Sequence, residues 1–434
     1  MTRLVHAATH GNGDISFAAI EQAARRGALQ LACEIVQTAL NTDHCDSSSS
    51  PCACPHCGSA ARYHGRRPKT QVTALGEMTI TRAYYLCWRC HAGFCPRDSA
   101  LGMTGGSLSP GVTRMVGMTA AMVSFSESDE LLRELAGISV GAKMVERAAE
   151  ALGGDISIDE QEVITAADPD SKRIYVGMDG TGTPMRAEAV QGRAGKQPDG
   201  TAKTREAKLI TMWTADGTDH DGTPLRDPGS VSYNAAIETA TMSDTDADVS
   251  PFAARVRREA TRRGVEKARE VVAIGDGARW IWNLVEEEFP GATQIIDLFH
   301  AKGTLTEAAK AIFGADSPFG SEWAKHRRDE LEAGDLEALL AALEPHLKTH
   351  NEARTCAEYI RTNWHRMQYP HFRRRGLCTS TGVVEAGCKL VVGTRLKRAG
   401  MHWTLDGANE IIALRSCKLS GRYDDYCSRH ALSA

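Results

Sequence analysis

The chain has 434 residues, of which 42% are apolar and 24% are charged, an ordinary balance for a folded globular protein. A net charge of −4 at pH 7 excludes a uniformly basic nucleic-acid coat, so any positive surface must be local. No run of about 20 residues is both apolar and free of charge, which argues against a membrane span. The 13 cysteines are an odd number and favour free thiols and metal ligands over disulfides. We therefore expect a cytoplasmic protein.

Changes of composition along the chain predict several separate regions. Residues 17–40 carry apolar side chains at helical spacing. The serine-rich run 43–51 is typical of a linker. The acidic segment 155–170, which contains Pro169, predicts a hinge before the larger C-terminal part. The four predicted regions are an N-terminal helix in 1–45, a cysteine-rich module in 46–100, a helical region in 105–153 and an α/β region in 170–434.

The cysteine-rich module contains two Cys-x-x-Cys turns, Cys54 to Cys57 and Cys87 to Cys90, with 29 residues between them. Each turn points two thiolates at one position, and two such turns complete a tetrahedral zinc site. The gap is longer than usual, but a β-hairpin around Met78 can fill it. We therefore predict a structural zinc ion, against the alternative of redox or simply buried thiols. Other potential ligands nearby are Cys52, His56, His91 and Cys95.

Residues 126–152 have the pattern of a helix-turn-helix. A short helix would end at Gly137, which permits a left-handed turn, and Ile138 would pack between the two helices. The second helix, starting near Val140, would present Lys143 and Arg147 to a DNA major groove. Helical hairpins of this kind also occur without DNA binding, so both interpretations stay open.

From Arg173 onward, short apolar runs typical of buried strands alternate with helical stretches. The runs are 174–179, 208–213, 271–276 and 293–299. Residues 301–378 are helical by composition and predict an insertion before a last helical region, 383–418. This order predicts a mixed α/β fold.

Two of these runs end in an aspartate that is followed directly by glycine, namely Asp179 in GMDG and Asp276 in GDG. If the two strands are neighbours, the carboxylates lie a few ångströms apart, and their repulsion at about 4 Å is about 4 kcal/mol at an effective dielectric of 20. Binding of Mg²⁺, which prefers oxygen ligands, relieves that repulsion. A pair of such ions activates an attacking hydroxyl and stabilises the leaving oxygen in phosphodiester chemistry. The alternative is two unrelated loop aspartates.

A third acidic ligand is expected farther along the chain. Between Arg361 and His402 there are nine lysines and arginines but a single acid, Glu385, on a helix predicted to begin at Thr381. Glu385 has an ordinary explanation as an i,i+4 partner of Lys389. The functional explanation makes it a metal ligand inside a phosphate-binding field. The cations of that field are Lys389, Arg395, Lys397 and Arg398.

Several motifs together resemble the DDE transposases of bacterial insertion sequences, and in particular the ISKra-type family. The resemblance rests on YVGMDGTGTPM, GRAGKQPDGTAKTREAKL, AIGDGARWIWN, IIDLFHA, TGVVEAGCKLVVGTRLKRAGMHW and the cysteine-module tract GEMTITRAYYLCWRC. It spans most of the chain, and it is specific because the motifs occur together. It implies an RNase H-like catalytic core with a helical insertion, preceded by the zinc module and the helix-turn-helix-like region.

The resemblance also implies a function and a site. Asp179, Asp276 and Glu385 would be the catalytic triad and would hold two Mg²⁺ or Mn²⁺ ions. The enzyme would bind the terminal inverted repeats of its element in double-stranded DNA, cleave strands and join them to a target. It would act on the bacterial nucleoid as a homodimer or higher oligomer. Asp297 and His300 resemble a Cys-x-x-His motif of Mutator-related transposases, with aspartate in place of cysteine, and the alternative is a hydrogen bond between them that steadies a strand end.

Two other classes of function remain to be compared. A haloacid-dehalogenase-type phosphatase also uses strand-end aspartates, but it needs a nucleophilic aspartate two positions before the one in DGT, where this chain has Gly177. A zinc-dependent transcription regulator with an inactive nuclease-like core is the other. The presence of all three carboxylates argues against it.

Overall fold

The computed structural model describes most of the chain, and its residues form two compact units. The described residues are 16–43, 46, 51–104, 106–162, 173–195, 197–220, 222–240, 250–379 and 382–432. The first unit comprises the described residues up to Leu152 together with 423–432, and the second comprises those from Gly153 to Arg422. Residues 423–432 thus group with the first unit, although the sequence analysis counted them with the α/β region. The serine run of the predicted linker and the predicted helix start at Thr381 lie outside the described residues.

The first unit is built around a four-stranded antiparallel sheet. Its strands, in spatial order, are β1 (Cys52–Ala53), β2 (Ala60–Thr73), β3 (Gly76–Cys87) and β4 (Gly93–Phe94). Strands β2 and β3 form the long hairpin predicted between the two Cys-x-x-Cys turns, and they pair from Ala61 with Cys87 to Thr73 with Gly76. The hairpin brings the two turns to the same end of the sheet.

Helix α1 (Phe17–Thr42) covers part of the open edge of β3. The Gln37 side chain accepts from the Thr79 N–H at 2.7 Å, and the Asn41 side chain bonds both the Thr79 carbonyl at 2.9 Å and the Thr81 N–H at 2.8 Å. Exposed strand edges invite pairing with other chains, and here side-chain amides occupy that edge. Ser16 precedes the helix but makes no side-chain cap bond.

The remaining helices of this unit include the segment for which the sequence predicts a helix-turn-helix. They are α2 (Pro96–Ala100), α3 (Pro110–Ala120), α4 (Phe125–Leu131), a π-helical turn (Leu132–Ala136), α5 (Ala142–Glu162), of which the residues up to Leu152 belong to this unit, and, farther along the chain, α17 (Tyr423–Leu432). Gly137 adopts φ 74°, and Ile138 is buried, as the sequence predicted for the turn. The Asp129 carboxylate accepts from the N–H groups of Val140 and Gly141, so the second helix begins at Ala142. Helix α5 runs to Glu162, so the first part of the predicted hinge is helical.

The second unit contains a five-stranded mixed sheet in the order β11-β10-β5-β6-β9. The strands are β5 (Arg173–Pro184), β6 (Thr204–Trp213), β9 (Ser232–Ala236), β10 (Glu270–Gly275) and β11 (Thr293–Ile296), with a small two-stranded ribbon of β7 (Gly217–Thr218) and β8 (Pro224–Leu225). Strands β5, β10 and β11 are parallel, whereas β6 is antiparallel to both β5 and β9. The first residues of β5 are buried apolar side chains, as expected for a central parallel strand covered on both faces.

Helices surround this sheet, and a group of them separates β11 from the C-terminal helices. The helices before β11 are α6 (Ala187–Val190), α7 (Pro251–Arg262) and α8 (Arg279–Glu288), with a 3-10 turn at Val265–Lys267. The group after β11 comprises α9 (Leu298–Phe313), α10 (Pro318–Ala333), α11 (Leu336–Leu343), α12 (Asn351–Asn363) and α13 (Tyr369–Arg374), with 3-10 turns at Glu344–His346 and Trp364–Arg366. The last elements are α14 (Gly382–Cys388), a π-helical turn (Lys389–Gly393), α15 (Thr394–Leu396) and α16 (Leu405–Leu419). The fold of this unit is therefore mixed α/β, with a helical insertion where the sequence predicts one.

Candidate functional site

The four predicted zinc ligands converge in the first unit. One sulfur atom from each of Cys54, Cys57, Cys87 and Cys90 lies within 4.8 Å of the others. The Sγ atoms of Cys54 and Cys90 are 3.6 Å apart, as are those of Cys57 and Cys87. Tetrahedral zinc with Zn–S bonds of about 2.3 Å separates its sulfurs by about 3.7–3.8 Å. The four cysteines can therefore hold a zinc ion, as their spacing predicted.

The two turns that carry these cysteines have the same backbone geometry. The N–H of Gly58 donates to the Cys54 carbonyl, and the N–H of His91 donates to the Cys87 carbonyl, both at 2.9 Å. Gly58 has φ 71° and His91 has φ 57°, a left-handed conformation that is uncommon outside glycine. The repetition of this turn places each pair of thiols on the inner side of the site.

The thiols of Cys57 and Cys90 have shifted pKa values. The backbone N–H of Ser59, followed by its hydroxyl, donates to Cys57 and lowers the pKa of that thiol to about 6. At Cys90 the Ala92 N–H lowers the pKa, but burial and the neighbouring thiols outweigh it and raise the pKa to about 12. A thiolate at Cys57 near neutral pH favours metal binding, because the thiolate is the metal ligand.

In the second unit, three aspartates follow paired residues of the parallel strands β5, β10 and β11. Met178 of β5 pairs with Gly275 of β10, and Gly275 pairs with Ile296 of β11. The residue after each of these three is an aspartate: Asp179, Asp276 and Asp297. Neighbouring strands are about 4.8 Å apart, so three carboxylates occupy adjacent positions at one edge of the sheet. The sequence predicted the first two as neighbours but not their alignment with the third.

Asp179 is partly enclosed by its surroundings. Its Oδ1 accepts from the Gly180 N–H at 2.7 Å, and the Cys388 thiol donates to the same carboxylate. Burial raises the pKa of Asp179, and the charge of Asp276 raises it further, whereas the bonds from Gly180 and Cys388 and the charge of His300 lower it. The net shift is upward, so a divalent cation beside Asp179 would relieve an unfavourable negative charge.

Asp276 is fixed at the start of a helix. Its Oδ1 accepts from the Ala278 N–H at 2.7 Å, and its carbonyl accepts from the indole Nε1 of Trp282 at 2.9 Å. The Tyr359 ring packs over Gly277, where an added Cβ would come within 2.1 Å of that ring. The Tyr359 hydroxyl is buried and has no hydrogen-bond partner within the described part of the chain. Burial, then the charges of Asp276 and Asp297, raise the pKa of Tyr359.

Glu385 lies on α14, which packs directly on the sheet. An added Cβ at Gly177 would come within 2.2 Å of the Val384 side chain, and one at Gly387 would come within 2.7 Å of Leu209. Glu385 itself is exposed and lies one helical turn before Cys388, the residue that contacts Asp179. The helix therefore brings the third predicted carboxylate to the neighbourhood of the first.

The three predicted catalytic carboxylates do not form a closed ligand cluster. Among the described residues, the four cysteines are the group of three or more potential ligands whose atoms all lie within 4.8 Å of one another. The ligand atoms of Asp179, Asp276 and Glu385 therefore do not all lie within 4.8 Å of one another.

Asp297 caps helix α9. Its Oδ1 accepts from the backbone N–H groups of Phe299 at 2.8 Å and His300 at 3.1 Å. The His300 ring lies 6.1 Å from the Tyr359 ring, centroid to centroid. These bonds stabilise the junction between strand β11 and helix α9. They involve the backbone N–H of His300 and not its imidazole ring.

The predicted phosphate-binding cations are divided between surface and interior. Lys389, Lys397 and Arg398 are exposed, and the Lys397 amine donates to the Thr181 hydroxyl, two residues after Asp179. Arg395 has no exposed surface, and its guanidinium lies over the Trp403 ring at 5.3 Å. The placement of Arg395 in a DNA-facing field is therefore corrected, because a buried guanidinium stacked on an indole cannot reach a phosphate.

The predicted DNA-reading residues of the helix-turn-helix are both exposed on α5. The Lys143 amine donates to the Glu146 carboxylate at 2.7 Å, and Arg147 lies one turn after it.

Sequence analysis missed two residues beside the carboxylates: Cys388 and Tyr359. For Cys388 a signal was present, since it follows Glu385 at the i+3 spacing of one helix face. Tyr359 reaches the site through packing that no local pattern reports.

Within the described residues, none of the helices combines the length and the apolar character that a membrane crossing requires. Among solved structures, the chain is similar to a Drosophila P element transposase strand transfer complex, with 9% sequence identity and a TM-score of 0.27. That similarity covers 77% of this chain and 84% of the other. A TM-score this low does not establish a shared fold.

The family of the protein follows from its sequence. The chain matches the Uncharacterised protein family UPF0236 over residues 60–425, which is most of its length, and the protein belongs to that family. The match includes the hairpin, the three aspartates and Glu385. No curated protein matches the chain.

Proposed function

We propose that this protein is a DNA transposase of the DDE type with an RNase H-like core. The observation that carries the proposal is the alignment of Asp179 and Asp276, which directly follow the last parallel pair of two neighbouring strands, Met178 with Gly275, beneath the helix that carries Glu385. The strand order also supports it: an antiparallel meander of three strands, β5-β6-β9, followed by two strands parallel to β5, is the arrangement of RNase H-like cores.

In this proposal the three carboxylates hold two Mg²⁺ or Mn²⁺ ions. Oxygen ligands suit both ions, and a cation would stabilise the charged form of Asp179, whose pKa is raised by burial and then by the charge of Asp276. When bound, such ions supply an activated hydroxyl and stabilise the leaving oxygen of a phosphodiester. The chain itself fixes Asp179 through Gly180 and Cys388 and fixes Asp276 through Ala278.

The other parts of the chain would then bring DNA to this edge. The zinc module and the helix-turn-helix, through Lys143 and Arg147, would bind the terminal inverted repeats as double-stranded DNA. Lys389, Lys397 and Arg398 would contact phosphates near the carboxylates. Because two ends must meet before they are joined, the active form would be a homodimer or a higher oligomer.

The alternative of a haloacid-dehalogenase-type phosphatase does not fit the packing at Gly177. Its nucleophile would occupy position 177, where even the Cβ of a non-glycine residue would come within 2.2 Å of Val384. The alternative of an inactive DNA-binding regulator differs from this proposal in one measurable property, since a regulator would bind DNA without cleaving it.

The test is DNA cleavage by the purified full-length protein on a plasmid that carries the sequences flanking its coding region. Wild type should nick or join this DNA in Mg²⁺. Asp179→Asn, Asp276→Asn and Glu385→Gln should each reduce the rate by more than about 100-fold, because loss of even outer partners of metal ligands costs 10–100-fold. Asp316→Asn, an exposed carboxylate between α9 and α10, is the matched control and should cleave normally. Equal cleavage by wild type and Asp179→Asn would refute the proposal.

A further inference from the structure

A groove between helices α9 and α10 has features that the carboxylate site does not explain. Its volume is about 470 Å³, and its lining includes Phe299, Lys302 and Gly303 from α9 and Lys325 and Arg328 from α10. An added Cβ at Gly303 would have no atom within 4 Å, so the α9 side of the groove is open.

The groove begins beside the candidate catalytic edge. Phe299 is the second residue after Asp297, which follows β11 and lies next to Asp276 in the sheet register. The Asp297 carboxylate holds the Phe299 N–H, so the position of this residue is fixed relative to the strand ends. The groove therefore begins two residues along the chain from the strand end that is aligned with Asp276.

The Phe299 ring is exposed to solvent, although the opposite face of helix α9 is buried. Leu298, Ala301 and Leu305 form the buried face of α9, each at 5% exposure or less, whereas Phe299 is 65% exposed. The Lys302 amine lies 5.9 Å from the Phe299 ring centroid, so the ring sits next to a cation. An exposed aromatic face beside positive charge is the combination on which unpaired bases stack.

The charges around the ring favour an anion. Lys325 and Arg328 make no ion pair with any described residue of the chain. Two acidic residues, Asp329 and Glu332, also line the groove. The Glu332 carboxylate already pairs with both Lys302 and Arg373. Two cations are thus available for phosphates next to an exposed ring.

From this geometry we infer that the groove binds a short single-stranded stretch of DNA, with one base stacked on Phe299 and the backbone phosphates at Lys325 and Arg328. The inference rests on the proposed function for its substrate class. It commits to single strands because the faces of bases in an intact duplex are covered by their neighbours, whereas unpaired bases offer theirs to an aromatic ring.

The experiment measures binding of full-length protein to a thymidine oligonucleotide of about 20 residues that carries one 2-aminopurine, and to a duplex of the same length. Phe299→Ala should weaken single-strand binding about 10-fold and reduce 2-aminopurine quenching, whereas Phe299→Trp should retain both. Lys325→Glu with Arg328→Glu should also flatten the salt dependence of the affinity. Phe319→Ala is the matched control, because Phe319 is 63% exposed on α10 but lies outside the groove lining.

The outcomes separate this inference from the proposed function. If wild type binds the oligonucleotide and Phe299→Ala binds as tightly as Phe319→Ala, the groove inference is overturned and the transposase proposal stands. An equal loss of duplex and single-strand binding in Phe299→Ala also overturns it, since the ring would then not read unpaired bases. If wild type does not bind the single-stranded oligonucleotide, the groove inference falls, and cleavage of the plasmid by wild type decides the transposase proposal separately.

Discussion

If the four cysteines hold a zinc ion, its removal should unfold the two cysteine turns while leaving the second unit folded. The perturbation is Cys87→Ser, which deletes a buried thiol of the four-sulfur cluster, or treatment of wild type with a strong zinc chelator. Either change leaves three or four thiols crowded together without the cation that stabilises them as thiolates.

The magnitude follows from how little else holds this end of the sheet. The local core consists of Cys54, Ala61, Ala83, Tyr85 and Cys87. Tyr85 is the one large side chain among these buried residues, and the half-buried Phe94 stacks against it. Burial of such a side chain contributes about 1.5–3 kcal/mol. Structural zinc contributes about 10–16 kcal/mol in small domains, whereas ordering each residue costs about 1–2 kcal/mol. Without the ion, the local core cannot offset the ordering of two turns of several residues each.

Hydrogen–deuterium exchange of the full-length protein measures this directly, together with the zinc content of each variant. Four amide protons should lose protection, because each donates within a turn: Cys54 to Ser59, Gly58 to Cys54, Cys87 to Ala92 and His91 to Cys87. Wild type should contain about one zinc per chain. Cys95→Ser is the matched control, since this thiol belongs to the same module but lies outside the cluster, and it should retain zinc.

Two results would show that this reasoning is wrong. One is a full zinc content in Cys87→Ser, which would mean that another residue, such as Cys52 or Cys95, completes the site. The other is unchanged protection of the turn amides after complete removal of zinc, which would mean that packing alone holds the turns.

Two further predictions concern the second unit. Because burial, then the charge of Asp276, raises the pKa of Asp179 in the folded protein, Asp179→Asn should raise the melting temperature of the metal-free protein at pH 7. That gain should disappear as the pH falls through the raised pKa towards about 3.9, the unfolded value, and a gain that persists below it would contradict the assignment. The Glu259 carboxylate is fully buried and pairs with Arg262 and Arg422, so Glu259→Ala should lower the free energy of unfolding by about 3–5 kcal/mol. Lys310→Ala, at an ion pair with Glu307 that is exposed on both sides, should lower it by no more than about 1 kcal/mol. Urea titrations of both variants test this, and similar losses would refute the distinction.

Strand ends show where sequence patterns stop being informative. The apolar run that predicted β5 ends at Asp179, but the strand continues to Pro184 because the glycine- and threonine-rich segment pairs with β6. Strand β9 was not predicted, since Ser232–Ala236 lacks branched aliphatic residues, yet all five residues are buried beside β6. In both places the partner strand, which is distant in sequence, supplies the hydrogen bonds that define the element.

Local spacing was sufficient wherever a few adjacent residues determine the geometry. Each Cys-x-x-Cys turn orients its own thiols, and Gly137 sets its own turn, so both were predicted from the sequence. The edge of the parallel sheet is different, because register between strands depends on contacts across many tens of residues. The alignment of Asp297 with Asp179 and Asp276 was therefore decided by the tertiary structure, as were the contact of Cys388 with Asp179 and the burial of Arg395 under packed helices.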